Sequence, residues 1–243
     1  MILPDLDGPD WAPDEVVDLI CVGTGIAALA VAIAAEDAGL DVLLTADTWT
    51  VASGAQRPEL ADDAAAFLRE VTDDIGAPAN PDPQPWIRRA GEPGWPQLRP
   101  GVMFSGAALR NWASSCLASP YGLVSTEVAG SEVEPLPVAQ VPAGTAIDLD
   151  AWLPELARER GLVWDGTALQ DLVLAGGRVV GAVLSDEGSP AGRTVVRALA
   201  GVVFSTGAAV PAGTHRVVDA EVTELVIQPR PFSRFARLQL SVS

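Results

Sequence analysis

Val16 to Asp47 reads VVDLICVGTGIAALAVAIAAEDAGLDVLLTAD. The pattern predicts a hydrophobic strand, a Gly-Thr-Gly turn, an alanine-rich helix, a glycine stop and a second hydrophobic strand, which together form a βαβ unit. A unit of this kind can seat a dinucleotide diphosphate at the start of its helix. Gly23 permits the tight turn off the strand, and Gly25 lets the backbone approach the diphosphate with no Cβ in the way. The free N–H groups and dipole of the helix then attract the anion. The third position of the fingerprint is Ala28, small enough for close packing of helix on strand. Gly23, Thr24, Gly25, Ile26, Ala27 and Ala28 are therefore the first candidate cofactor-binding residues.

Leu19 to Ala35 is also seventeen residues without a charge, a little under the length that crosses a bilayer. Gly-Thr-Gly interrupts that run, and no Lys or Arg flanks it to set an orientation. Met1 to Asp14 is acidic and proline-rich, unlike a signal peptide. The expectation is a cytoplasmic protein with no membrane span.

A net charge of −17 argues against nucleic acid or anionic membrane as partner, since both call for a basic face. All fifteen basic residues are arginine, which reads as genome composition and not as function. Cys21 and Cys116 are too few for a disulfide framework. Cys21 lies inside the first predicted strand and is expected to be a buried small hydrophobe. With one His and two distant Cys, no metal site is expected.

Beyond the opening unit, the spacing of Ala64, Phe67, Leu68, Val71 and Ile75 predicts an acidic amphipathic helix over 61–75. Residues 76–101 hold seven prolines and two tryptophans and are expected to wrap as a long excursion with no regular element. A helix is predicted over 106–117, a loop over 132–144, and a helix over Leu149 to Arg160 stopped by Gly161. The following stretch predicts a strand at Leu162 to Trp164 and a three-stranded antiparallel meander at Leu169 to Leu174, Arg178 to Leu184 and Thr194 to Ala198. A return strand, Gly201 to Phe204, then runs into Ser205-Thr206-Gly207.

With the G-x-G-x-x-A turn, the meander and Ser205-Thr206-Gly207, the chain resembles the flavoprotein oxidoreductases of the fumarate reductase and 3-ketosteroid dehydrogenase type. In that family the N-terminal βαβ unit binds the ADP half of FAD, and the meander precedes a strand ending in Ala-Thr-Gly. Leu149 to Gly161 resembles the helix before the adenine-contacting strand, and Leu109 to Tyr121 is similar to the ketosteroid dehydrogenase-like members. The resemblance spans about Val16 to Gly207. It implies FAD as cofactor and adds Leu169, Thr206 and Gly207 to the cofactor contacts.

The chain departs from the family at three places. The family ends its second strand with a Glu that accepts hydrogen bonds from the adenosine ribose; counting from Gly23, that position is Ala46. Asp47 could replace it only if the strand end shifts, because successive strand residues face opposite sides. Losing such a contact costs about 1–3 kcal/mol. The Gly-Gly and Ser or Thr that follow in the family correspond to Ala52, Ser53 and Gly54. Family members are also longer, with a substrate-capping region, whereas thirty-six residues follow Gly207 here. Those predict a β-hairpin, Glu221 to Gln228 and Phe235 to Val242. Its apolar alternation at Leu225, Ile227, Leu238 and Leu240 is expected to form an arm that docks on a partner or a second copy.

The expected fold class is thus α/β: an N-terminal extension over 1–14, a Rossmann-like FAD-binding domain over 15–210 (Pro-rich excursion 76–101, β-meander 162–204), and a C-terminal β arm over 211–243. Catalytic candidates are few. His215 is the sole histidine and Tyr121 the sole tyrosine; each has a plainer reading, as a loop histidine and a structural turn tyrosine. Arg216 is a candidate for a phosphate or carboxylate contact, and Trp49 for a place near the cofactor. The expected function is an FAD-binding oxidoreductase component with dehydrogenase-type flavin chemistry, acting on a small molecule and taking its substrate portion from a partner or second copy. The alternatives are a cofactor-free partner subunit of a full-length flavoprotein and, third, an NAD(P)-dependent enzyme.

Overall fold

The computed structural model describes residues 13–23, 25–45, 86–89, 122–142, 147–163, 167–175, 178–186, 188–205, 216–217 and 221–242. In chain order these form β1 (Glu15–Val17), β2 (Leu19–Val22), α1 (Ile26–Asp37), β3 (Val42–Thr45), β4 (Trp86–Arg89), β5 (Leu123–Ser125), β6 (Leu136–Gln140), β7 (Ile147–Asp148) and α2 (Leu149–Glu159). There follow β8 (Leu169–Ala175), β9 (Arg178–Ser185), β10 (Arg193–Ala198), β11 (Val202–Ser205), β12 (Arg216–Val217), β13 (Val222–Pro229) and β14 (Phe235–Val242).

The expected βαβ unit is present. Strands β2 and β3 are parallel and joined through α1, and β11 adds a third parallel strand on the other side of β2. The α/β reading holds for this unit alone. Strand dominates the remaining described residues: an eight-stranded sheet in the order β3-β2-β11-β5-β14-β13-β6, with β4 on β14, and a four-stranded sheet in the order β1-β10-β9-β8. Beyond the three parallel strands, the described residues do not show the Rossmann-like α/β domain expected over 15–210.

Alternation along β2 explains the layers. Leu19 and Cys21 belong to a core shared with α1, α2 and the hairpin β13–β14, whereas Ile20 and Val22 belong to a second core shared with β8, β9 and β10. Helices therefore cover one face of the large sheet and the meander covers the other. The uncharged run 19–35 is divided between β2 and the 12-residue α1, and no helix among the described residues is long and apolar enough to cross a membrane.

Packing overturns several sequence expectations. The first apolar strand is two strands, because the chain changes sheets at Asp18. Its carbonyl accepts from Ala200 N–H at 2.7 Å, and its carboxylate accepts from Asp41 N–H at 2.9 Å. The loop expected over 132–144 contains β6, an edge strand held by antiparallel pairing with β13. Pro137 is tolerated there because an edge strand leaves half of its N–H groups outside the ladder. The excursion over 76–101 contains β4, which pairs in parallel with β14. Leu162 and Val163 form no strand; Leu162 is buried against α2 while Val163 is exposed.

The hairpin forms at the expected residues, but it is not a projecting arm. β14 pairs with β5 and β4 as well as with β13, and β13 pairs with β6. Leu225, Ile227, Leu238 and Leu240 are buried in the core against α1. The apolar face read as a docking surface is consumed inside the chain. The helices predicted over 61–75 and 106–117 lie outside the described residues.

Candidate functional site

The three parallel strands end level. Val22 stands in register with Thr45 on one side and Phe204 on the other. The chain leaves β2 through Gly23, whose φ of +110° is a conformation that residues with a Cβ rarely adopt. Gly25 is the N-cap of α1 in extended geometry, and no side chain caps the helix. The first helical bond runs from Leu29 N–H to the Gly25 carbonyl at 3.1 Å. The N–H groups of Gly25, Ile26, Ala27 and Ala28 thus fall before the helical ladder begins. The first turn carries no acidic residue, so nothing there repels an anion.

A Cβ built on Gly25 would lie 3.0 Å from Ser205 Oγ, at the end of β11. The glycine is therefore set by close approach from the neighbouring strand as well as by its place in the turn. Ala27 and Ala28 are buried under the helix, and Ala28 is the small residue that lets α1 lie close on the sheet. Donors from the backbone, space kept open at Gly25 and an apolar first turn fit a diphosphate. Such an arrangement suits holding and orienting an anion, and it carries no group for moving a proton.

Of the sequence candidates, the fold brings together Gly23, Gly25, Ile26, Ala27 and Ala28. Leu169 lies in β8, at the edge of the smaller sheet and opposite Leu184 in β9, with its side chain buried between the sheets among Val22 and Phe204. Thr24, Asp47, Thr206, Gly207, His215 and Tyr121 lie outside the described residues, as do Ala46, Trp49, Ala52, Ser53 and Gly54. Arg216 falls in β12, opposite Asp148. Cys21 is fully buried as expected, and burial pushes its thiol up to about 12. It is held as the neutral thiol two residues before the turn.

Sequence reasoning missed two hydroxyls. Ser205 was legible as part of a motif, but its contact with Gly25 depends on β11 returning beside β2. Thr45 is fully buried at the end of β3, and its hydroxyl finds no hydrogen-bond partner among the described residues.

No protein-family model matches the chain, and no curated protein matches it. Solved structures do. One is a 3-ketosteroid-Δ4-(5α)-dehydrogenase from Rhodococcus jostii RHA1 in complex with 4-androstene-3,17-dione, at 22% identity and a TM-score of 0.34 over 81% of this chain and 47% of that one. A second is a geranylgeranyl bacteriochlorophyll reductase-like protein from Thermoplasma acidophilum, at 16% and 0.31 over 76% and 38%. A third is a flavocytochrome c3 fumarate reductase in an open conformation, at 17% and 0.33 over 76% and 33%. By name these are a dehydrogenase and two proteins of reductase type. The chain spans less than half the length of each, and likenesses this weak establish neither a shared fold nor a shared chemistry.

Proposed function

We propose that the chain binds FAD at the β2–α1 turn and is the flavin-holding component of a dehydrogenase-type oxidoreductase. A partner or a second copy supplies the substrate portion. The observation that carries the reading is the turn itself: Gly23 at φ +110°, and Gly25 as an uncapped helix start pressed against Ser205. A glycine is needed twice there, and four backbone donors face outward from a helix end that attracts anions. FAD is favoured over NAD(P) by the meander β8–β10, which precedes β11 in the manner of the flavoproteins that the sequence resembles.

When bound, FAD supplies the electron-pair acceptor for the reaction. The chain's own part is to hold the diphosphate on the first turn of α1 and so fix where the rest of the cofactor lies.

The test is the visible absorption spectrum and native mass of protein purified from its host. A flavin spectrum with equimolar FAD, in a species heavier than one chain, is the expected result. A colourless protein that stays colourless with added FAD would overturn the reading and leave the cofactor-free partner subunit. A flavin-bearing single chain that turns over substrate would overturn the need for a partner.

A further inference from the structure

We infer that the apex of the β13–β14 hairpin is a docking surface for a second copy of this chain, with Phe232 of each copy seated over Gly130 of the other. The inference goes beyond the flavin reading and does not depend on it.

Packing within the chain does not explain how this apex is built. Phe232 is the one non-glycine residue among those described with a positive φ, +51°, a conformation that is strained for a bulky side chain. The residue is 56% exposed, so burial within the chain does little to offset the strain. The backbone around it is nevertheless held firmly. Phe232 N–H donates to the Gly130 carbonyl at 3.1 Å, Ala129 N–H to the Ser233 carbonyl at 2.8 Å, and Arg230 N–H to the Phe235 carbonyl at 2.9 Å. The hydroxyl of buried Ser233 accepts from Phe235 N–H at 3.2 Å. An exposed aromatic residue on a braced turn loses little freedom on contact, which suits an interface anchor.

The same surface carries the receiving half. Gly130 is bonded to Phe232 through the backbone and is exposed, and a Cβ built on it would meet no atom within 4 Å. Val128 adds apolar surface nearby, at 49% exposed. Charge at the apex is of both signs: Glu132 and Glu134 are exposed on the β5–β6 loop, and Arg230 is partly exposed on the hairpin turn. A patch that holds a projecting apolar residue beside open space, and acid beside base, is complementary to itself, as a two-fold interface demands. A basic partner chain would call instead for a surface of one sign. The net charge of −17 opposes self-association at long range, but that repulsion is screened beyond about 8 Å at physiological ionic strength.

The experiment measures native mass and dimer dissociation by sedimentation for the wild-type chain, Phe232→Gly, Gly130→Glu and an equimolar mixture of the two variants. The wild type is expected as a dimer. Each substitution removes a contact that the two-fold axis repeats, so each variant should dissociate about a hundredfold more readily. The mixture restores one of the two contacts and should be only about tenfold weaker than wild type. Tm of the dilute monomer should hold or rise for Phe232→Gly, because glycine relieves the left-handed conformation. It should be unchanged for Gly130→Glu, which enters open space. A monomeric wild type, dimers that survive both substitutions, or a mixture no tighter than either variant alone would overturn the inference. So would a marked fall in Tm for Phe232→Gly, or a heavier species holding a different chain in place of the second copy. Flavin content is read separately: a colourless dimer counts against the flavin reading alone, and a flavin-bearing monomer against this inference alone.

Discussion

The two helices among the described residues end alike and begin differently. Each stops at a glycine in the left-handed region, Gly39 after α1 and Gly161 after α2. In each, the next N–H reaches back into the last turn, Leu40 to the Ala35 carbonyl and Leu162 to the Ala157 carbonyl, both at 3.0 Å. At the other end, α2 is closed by its own sequence. The Asp148 carboxylate accepts from Asp150 N–H at 3.1 Å, and Asp150 adds a negative charge to the first turn. α1 has neither device, only Gly25. The helices also bury themselves differently: α2 shows one apolar stripe, Leu149, Leu153 and Ala157, whereas α1 buries seven of its twelve residues. A helix supported by burial can dispense with a cap, and its N–H groups are then left for a ligand.

The largest effect should come from the support that both helices share. Ile33 in α1 and Leu153 in α2 are fully buried. Ile33→Ala and Leu153→Ala should each cost about 2–5 kcal/mol by urea unfolding. A smaller cost for Ile33→Ala than for a cap change in α1 would break the claim that burial alone carries that helix.

Next is the conversion of one helix start into the other. Gly25→Asp offers α1 a capping carboxylate of the kind that closes α2, occupying the N–H groups and repelling a diphosphate. FAD affinity, followed by flavin fluorescence, should fall by about a hundredfold. Retained affinity in a folded Gly25→Asp protein would sever the link between the open helix start and the cofactor.

Removing the cap from α2 should matter less. Asp148→Ala is expected to cost about 1 kcal/mol and to leave FAD affinity unchanged, read by the same two measurements.

The smallest effect concerns the pair that ties the helix ends together. Arg160 donates from Nε to Asp37 Oδ1 at 2.7 Å and from Nη2 to Oδ2 at 2.8 Å. The geometry is bidentate but the pair is partly exposed, so Asp37→Asn should cost about 0.2–1 kcal/mol, and less in high salt. The Arg160 guanidinium holds the Asp37 carboxyl below its ordinary range. A carboxyl with a depressed folded-state value stabilises the protein above its unfolded value of about 3.9 and loses that contribution as pH falls through the folded value. The stability gap between wild type and Asp37→Asn should therefore be full at neutral pH and close below about pH 4. A gap that persists in acid would show that the aspartate acts through something other than its charge.

These contrasts mark what was legible in the residues. The glycine stops, the apolar alternation of β2 and the meander strands are local patterns, and they appear close to where the periodicity places them. β4 and β6 were not legible. Trp86–Arg89 lies among prolines and Leu136–Gln140 carries one, and each becomes a strand only because a hairpin far along the chain offers it a ladder. The hairpin was read correctly as an element and wrongly as an arm. Alternation reveals an apolar face, but not what covers it.

By itself the sequence determined the βαβ turn, because the backbone conformation at Gly23 and the lack of a Cβ at Gly25 are properties of single residues. It determined both helix ends for the same reason: each glycine stop depends on groups only a few residues apart. Only the tertiary structure decided that β11 returns beside β2 to set Ser205 against Gly25, that the hairpin closes the core over α1, and that Asp18 passes the chain from one sheet to the other. Those outcomes depend on which distant strands find each other, and strand pairing is a competition between whole surfaces that no local pattern encodes.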